Sequence, residues 1–101
     1  MKKQPAIEVY FAQICGLCHE AMGYFRSRGW SFEAHEVFWD GEKFTDTDTT
    51  RAMYRRCGGT IDFVPQIFIN GHHIPGWRRM QALIASGEFE RLLDAPPTQG
   101  A

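Results

Sequence analysis

The chain has 101 residues, 44% of them hydrophobic, enough for one compact core and not for two. Eleven basic residues against twelve acidic ones leave no strong field, which argues against nucleic acid and against an anionic membrane surface as partners. No apolar run approaches the ~20 residues of a membrane span, no apolar signal segment follows the opening lysines, and three cysteines are an odd number for a disulfide framework; a monomeric cytoplasmic protein is the expectation.

Residues 1–5 read as a polar, frayed start. Ile7, Val9 and Phe11 then alternate with Glu8 and Tyr10, which predicts a strand with at least one buried face. From residue 18 to residue 28 the spacing of Cys18, Ala21, Met22 and Phe25 predicts an amphipathic helix, closed by Gly29 in a left-handed conformation. Cys15 and Cys18 sit where the strand meets this helix. The first N–H groups of a helix have no partner within it, and its dipole is positive at that end. A thiolate at position 15 is therefore stabilised, and Cys18, one turn on, is near enough to close a disulfide with it.

Residues 30–39 return to a strand pattern with imperfect alternation, completing a β-α-β unit whose strands should lie parallel with a right-handed crossover. Asp40-Gly41 marks a turn. Thr45, Asp46, Thr47 and Asp48 offer N-caps for a helix of two to three turns, which Gly58-Gly59 stops. Residues 63–69 are the second strongly β stretch, and Asn70-Gly71 predicts a type I′ turn into an antiparallel partner, His72-His73-Ile74. After Pro75-Gly76, residues 77–86 read as a helix with Met80, Leu83 and Ile84 inward, and Gly87 interrupts it before Phe89, Leu92 and Leu93. The order is β-α-β-α-β-β-α in one domain over residues 1–94, with a mobile tail at 95–101.

These motifs in this order, Cys15-Gly16-Leu17-Cys18 after a strand, then residues 64–71 as VPQIFING, then Ile74-Pro75-Gly76, resemble the glutaredoxin family of the thioredoxin-like superfamily. The resemblance spans residues 7–93. It implies an α/β fold, a four-stranded mixed sheet flanked by three helices, and a thiol-disulfide oxidoreductase with Cys15 as nucleophile and Cys18 as resolving thiol. It also implies a cis peptide before Pro65, with the Val64 N–H and C=O left to pair with the backbone of a bound peptide such as glutathione. The substrate-binding positions it implies are Gln13, Val64, Pro65, Gly76, Trp77 and Arg78. No tightly held cofactor is implied; glutathione is the reductant or cosubstrate, alongside a disulfide-bearing protein.

The chain departs from the family pattern in four places, one of them the segment 58–63, which is one or two residues longer than usual before the proline and changes the cleft wall. Gly16 and Leu17 replace the usual proline and aromatic residue between the cysteines, Ala12 stands where a lysine meets a glutathione carboxylate, and Trp77-Arg78-Arg79 stand where acidic residues hold its ammonium. Cations beside an ammonium repel it, so weaker glutathione binding in the family's pose is predicted. Gln13, Arg55 and Arg56 remain as donors to a carboxylate. The Trp and Arg after Gly76 are similar to glutaredoxin-like hydrogen donors of ribonucleotide reductase, which take electrons from thioredoxin reductase.

The alternative reading of C-x-x-C is a metal module, holding zinc or a [2Fe-2S] cluster through Cys15. A zinc site would need Cys57 with His72, His73 or His19, and no second close-spaced pair exists, so redox chemistry is favoured. Cys57 itself reads as a buried small hydrophobe, the His72-His73 pair as solvated, and Trp30, Phe32, Phe38 and Trp39 as core and edge packing. Trp77 suits a cover over the thiols and the packing of the last helix equally.

Overall fold

The computed structural model describes residues 4–94; the expected mobile tail and the first three residues of the frayed start lie outside them. In chain order the elements are β1 (Ile7–Phe11), α1 (Gly16–Ser27), β2 (Glu33–Glu36), α2 (Asp48–Cys57), β3 (Gln66–Ile69), β4 (His72–Pro75), α3 (Trp77–Ser86) and α4 (Glu88–Asp94). The strands form one mixed sheet in the order β2-β1-β3-β4. β1 runs parallel to β2, as a β-α-β unit requires, and antiparallel to β3, which pairs antiparallel with β4. No helix among the described residues is long and apolar enough to cross a membrane.

Period-two alternation sends the two central strands' side chains into two separate cores. Ile7, Val9, Ile67 and Ile69, with Ile74 of β4, meet Ala21, Met22 and Phe25 of α1 and Met80 and Leu83 of α3. On the opposite face Tyr10 and Phe68 meet Met53 of α2, with Val37 and Phe44. Arg56, near the end of α2, lies 3.9 Å from the Phe68 ring centroid and donates to Glu8 Oε1 at 2.8 Å. Burial of the Glu8 carboxyl favours its neutral form, but hydrogen bonds from Arg56 and His35 outweigh this and hold it below its ordinary range.

The turns form where the sequence placed them. Asn70 (φ 51°) and Gly71 (φ 83°) make the two-residue connection between β3 and β4, and Thr47 caps α2 by accepting from the Thr50 N–H at 3.1 Å. The third predicted helix is divided: Gly87, at φ 86°, ends α3 and α4 follows at once, giving four helical segments around the sheet.

The strand expected over residues 30–39 is shorter, four residues in all. At its start the Trp30 N–H donates to Phe25 O at 3.0 Å, so Trp30 belongs to the end of α1. At its end the Asp40 N–H donates to Lys43 O and the Thr45 N–H to Phe38 O, folding residues 38–45 back on themselves with Trp39 bridged to Phe44. This fold-back leaves Phe38 52% exposed and packs Trp39 against Phe44 at the edge of the second core, on the side of Cys15.

Candidate active site

Cys15 is the N-cap of α1, in extended conformation (φ −89°, ψ 105°), and its sulfur accepts the Cys18 N–H at 3.0 Å. The turn that carries it there is closed by the Cys15 N–H donating to Ala12 O at 3.0 Å. One orphan donor of the helix start is thus spent on the sulfur, which sits at the positive end of the α1 dipole. Cys15 is half-buried, and its thiol lies 3.5 Å from Val64 O. Cys18 is 0% exposed. Burial first, and then the hydrogen bond and charge of the Cys15 sulfur, push the Cys18 thiol far above the usual thiol range.

The other residues singled out by sequence fall around this pair at different depths. Pro65 is buried, joined to Val64 through a cis peptide. Gly76 is the N-cap of α3 at φ 96°, and a Cβ there would lie 3.5 Å from Phe63 Cε2, so the start of α3 and the loop before Pro65 touch. Arg78 is exposed on the first turn of α3. Gln13 is exposed, with its carbonyl 2.8 Å from His19 Nε2. Trp77 is 7% exposed with its ring centroid 5.7 Å from that of Tyr24, so it packs the start of α3 onto α1.

Cys57 and His73 stand in a separate cluster. Gln66 Nε2 donates to Phe63 O at 3.0 Å, which turns its Oε1 to His73 Nε2 at 2.7 Å, and Cys57 Sγ lies 3.6 Å from the same nitrogen. His73 is exposed, as expected, and its ring is in addition bonded on one side and stacked on Phe68, 4.8 Å between centroids. Burial, then the charge of Arg56, lowers its basicity, while burial raises the Cys57 thiol above its ordinary range. Among the described residues, the set of three metal-capable side chains whose ligand atoms lie within 4.8 Å is Glu8, Glu33 and His35, which includes neither Cys15 nor Cys18.

A brief pulse of iodoacetamide near neutral pH should therefore label Cys15 well before the other two. Cys18 has no exposed surface, and both it and Cys57 are held as protonated thiols. Peptide mapping after the pulse measures the order; Cys57 labelling as fast as Cys15 would contradict it.

Four large apolar residues lie beside Cys15, and of these only Phe63 falls in a stretch the sequence marked for the cleft, the lengthened segment 58–63. Ile14, Trp39, Phe44 and Phe63 join Ala12, Asp62, Val64 and Cys15 around a hollow of ≈ 220 Å³. A second hollow of ≈ 310 Å³ shares Ala12, Ile14 and Trp39 and adds Gln13, Glu36, Val37 and Phe38. Asp40-Gly41, a turn directly after Phe38-Trp39, was the one hint that these rings leave the strand.

A family model for glutaredoxin matches residues 7–74. Glutaredoxin 3 of Escherichia coli (strain K12) is 34% identical over 87 residues, covering 86% of this chain and 95% of that protein. The crystal structure of a wheat glutaredoxin superposes with a TM-score of 0.64 at 30% identity, over 91% of this chain and 83% of that one. A buckwheat glutaredoxin-glutathione complex superposes with a TM-score of 0.66 at 22% identity, over 89% and 77% of the two chains. Together with two cysteines gathered at the start of α1, these similarities show that the chain belongs to the glutaredoxin family, the thiol-disulfide oxidoreductases.

Proposed function

We propose that the protein reduces polypeptide disulfides and glutathione mixed disulfides through Cys15 and Cys18, with glutathione as its reductant. The observation that carries this reading is the half-exposed Cys15 sulfur held by the Cys18 N–H at 3.0 Å above a fully buried second thiol. The Cys15 thiolate attacks one sulfur of the substrate disulfide; that S–S bond breaks, and the other sulfur leaves as a thiolate and takes a proton from water. Cys15 is then neutral in a mixed disulfide. With Cys15 uncharged its thiolate no longer raises the Cys18 thiol, while burial, the larger cause, still opposes ionisation. Cys18 attacks Cys15 Sγ, the bond to the substrate sulfur breaks, and the proton given up by Cys18 passes to that departing sulfur, which leaves as the second substrate thiol with the Cys15–Cys18 disulfide formed. Two electrons and two protons have passed to the substrate.

Two glutathione molecules restore the dithiol: one attacks Cys15, the exposed partner of the bond, and the second releases it as glutathione disulfide. The buckwheat relative, in complex with glutathione, supports this choice of reductant. Val64, Gly76 and Arg78 form the rim against which substrate lies, with the buried Pro65 behind Val64, Gln13 stands beyond Cys15, and Trp77 holds the start of α3 in place. A dithiol recycled in this way works where glutathione is kept reduced, and we assign the protein to the cytoplasm as a monomer.

The test is to oxidise the protein and follow recovery of its thiols with glutathione, or with thioredoxin reductase and NADPH. Glutathione should restore them at a rate proportional to its concentration, because Ala12 offers no cation to hold it. Recovery with the reductase alone would overturn the choice of reductant.

A further inference from the structure

The hollow beside Cys15 is apolar in its walls and acidic in its charge. Ile14, Trp39, Phe44 and Phe63 supply the walls, and Ile14 and Phe63 are 79% and 46% exposed. Its one acid is Asp62, and no Lys, Arg or His lines it. The adjoining hollow, which exposes Phe38 by 52%, likewise has an acid, Glu36, as its only charged residue. Large apolar side chains left in water at a reactive thiol signal a surface that is covered in use. At ≈ 220 Å³ the hollow is below the about 300–1,000 Å³ of small-molecule sites, and it suits a single side chain.

What covers it follows from Cys15 being part of its lining. A segment whose sulfur is joined to Cys15 lies along this hollow, so the side chains that flank the target sulfur are the ones within reach of it. Glutathione brings two carboxylates and no large apolar side chain, and meets Asp62 and Glu36 with like charge.

We propose that this hollow receives an aromatic or branched aliphatic side chain adjacent to the target cysteine of a polypeptide disulfide, with a basic residue of the same segment meeting Asp62 or Glu36. The inference rests on Cys15 being the attacking thiol and names the class of substrate it prefers. The bond changes are those of the first step above: the peptide sulfur joins Cys15, and its former partner leaves as a thiol.

The experiment mixes pre-reduced protein with an excess of one disulfide and follows loss of the Cys15 thiol by quenched alkylation and mass, so that no recycling reductant enters. The probes are the symmetrical disulfides of the peptides Lys-Phe-Cys-Gly, Lys-Ser-Cys-Gly and Glu-Phe-Cys-Gly, and glutathione disulfide. Burying part of one phenyl ring should make the Phe peptide about tenfold faster than the Ser peptide. At low salt the Lys-Phe peptide should also exceed the Glu-Phe peptide about threefold. Phe63→Ser and Ile14→Ser, both at exposed positions, should each bring the Phe-to-Ser ratio to about threefold or less. Equal rates for the Phe and Ser peptides, or a ratio that neither variant changes, would overturn the apolar seat, and equal rates for the Lys-Phe and Glu-Phe peptides would overturn the basic contact. With glutathione disulfide still oxidising Cys15, the dithiol reading would stand; with no disulfide oxidising it, that reading falls instead.

Discussion

Cys15→Ser should lower the turnover of a protein disulfide by at least about a thousandfold, since a hydroxyl at the N-cap keeps the helix but offers no sulfur to form the mixed disulfide. The structure makes this variant informative because serine is itself a favourable N-cap, so α1 should keep its place and the loss should be chemical. Cys18→Ser should behave differently. Its sulfur is buried under Cys15 and acts only in the second step, so this variant should accumulate one equivalent of substrate thiol joined to Cys15. Intact-protein mass spectrometry without added reductant reads both results. Native turnover in Cys15→Ser, or no adduct in Cys18→Ser, would remove the assignment of the two roles.

Phe25→Ala is expected to be the most damaging change away from the thiols. Phe25 is fully buried on the core face of α1, with its ring centroid 5.5 Å from that of Phe32. Removing a buried aromatic ring costs about 3–5 kcal/mol from lost burial and the cavity left behind. Domains of this size hold only about 5–15 kcal/mol in total. Because the same helix carries Cys15 and Cys18, the loss loosens the support of the site as well. Urea unfolding should show a lower midpoint with an unchanged slope. A loss under about 1 kcal/mol would mean that Phe32, Tyr24 and their neighbours collapse into the space.

Local chemistry made much of the fold legible. Alternation in β1 holds because Ile7 and Val9 need one core and Tyr10 another, and a strand offers only two faces. Asn70-Gly71 and Gly87 turn where they do because left-handed backbone is inexpensive at those residue types. Residues 30–39 were harder to read. Their rings fit a strand pattern, yet only four residues pair, because the Trp30 N–H is satisfied by α1 and residues 38–45 satisfy one another. Neither choice of partner is visible in a window of ten residues.

The same division holds for the site. A thiol pair at the start of a helix is a local arrangement, because residues 15 and 18 are one turn apart and the Cys18 N–H reaches the Cys15 sulfur without help from any other element. The sequence by itself therefore determined the thiol pair at a helix start, the order of elements and the family. Only the tertiary structure decided what surrounds that centre: Phe63 from the loop before Pro65 and Trp39 from the fold-back after β2 come together beside Cys15, and His73 meets Gln66 and Cys57 on the Phe68 face of the sheet. Side chains that far apart in the chain are brought together by burial of the two cores, and burial sets no pattern in the sequence that joins one of them to another.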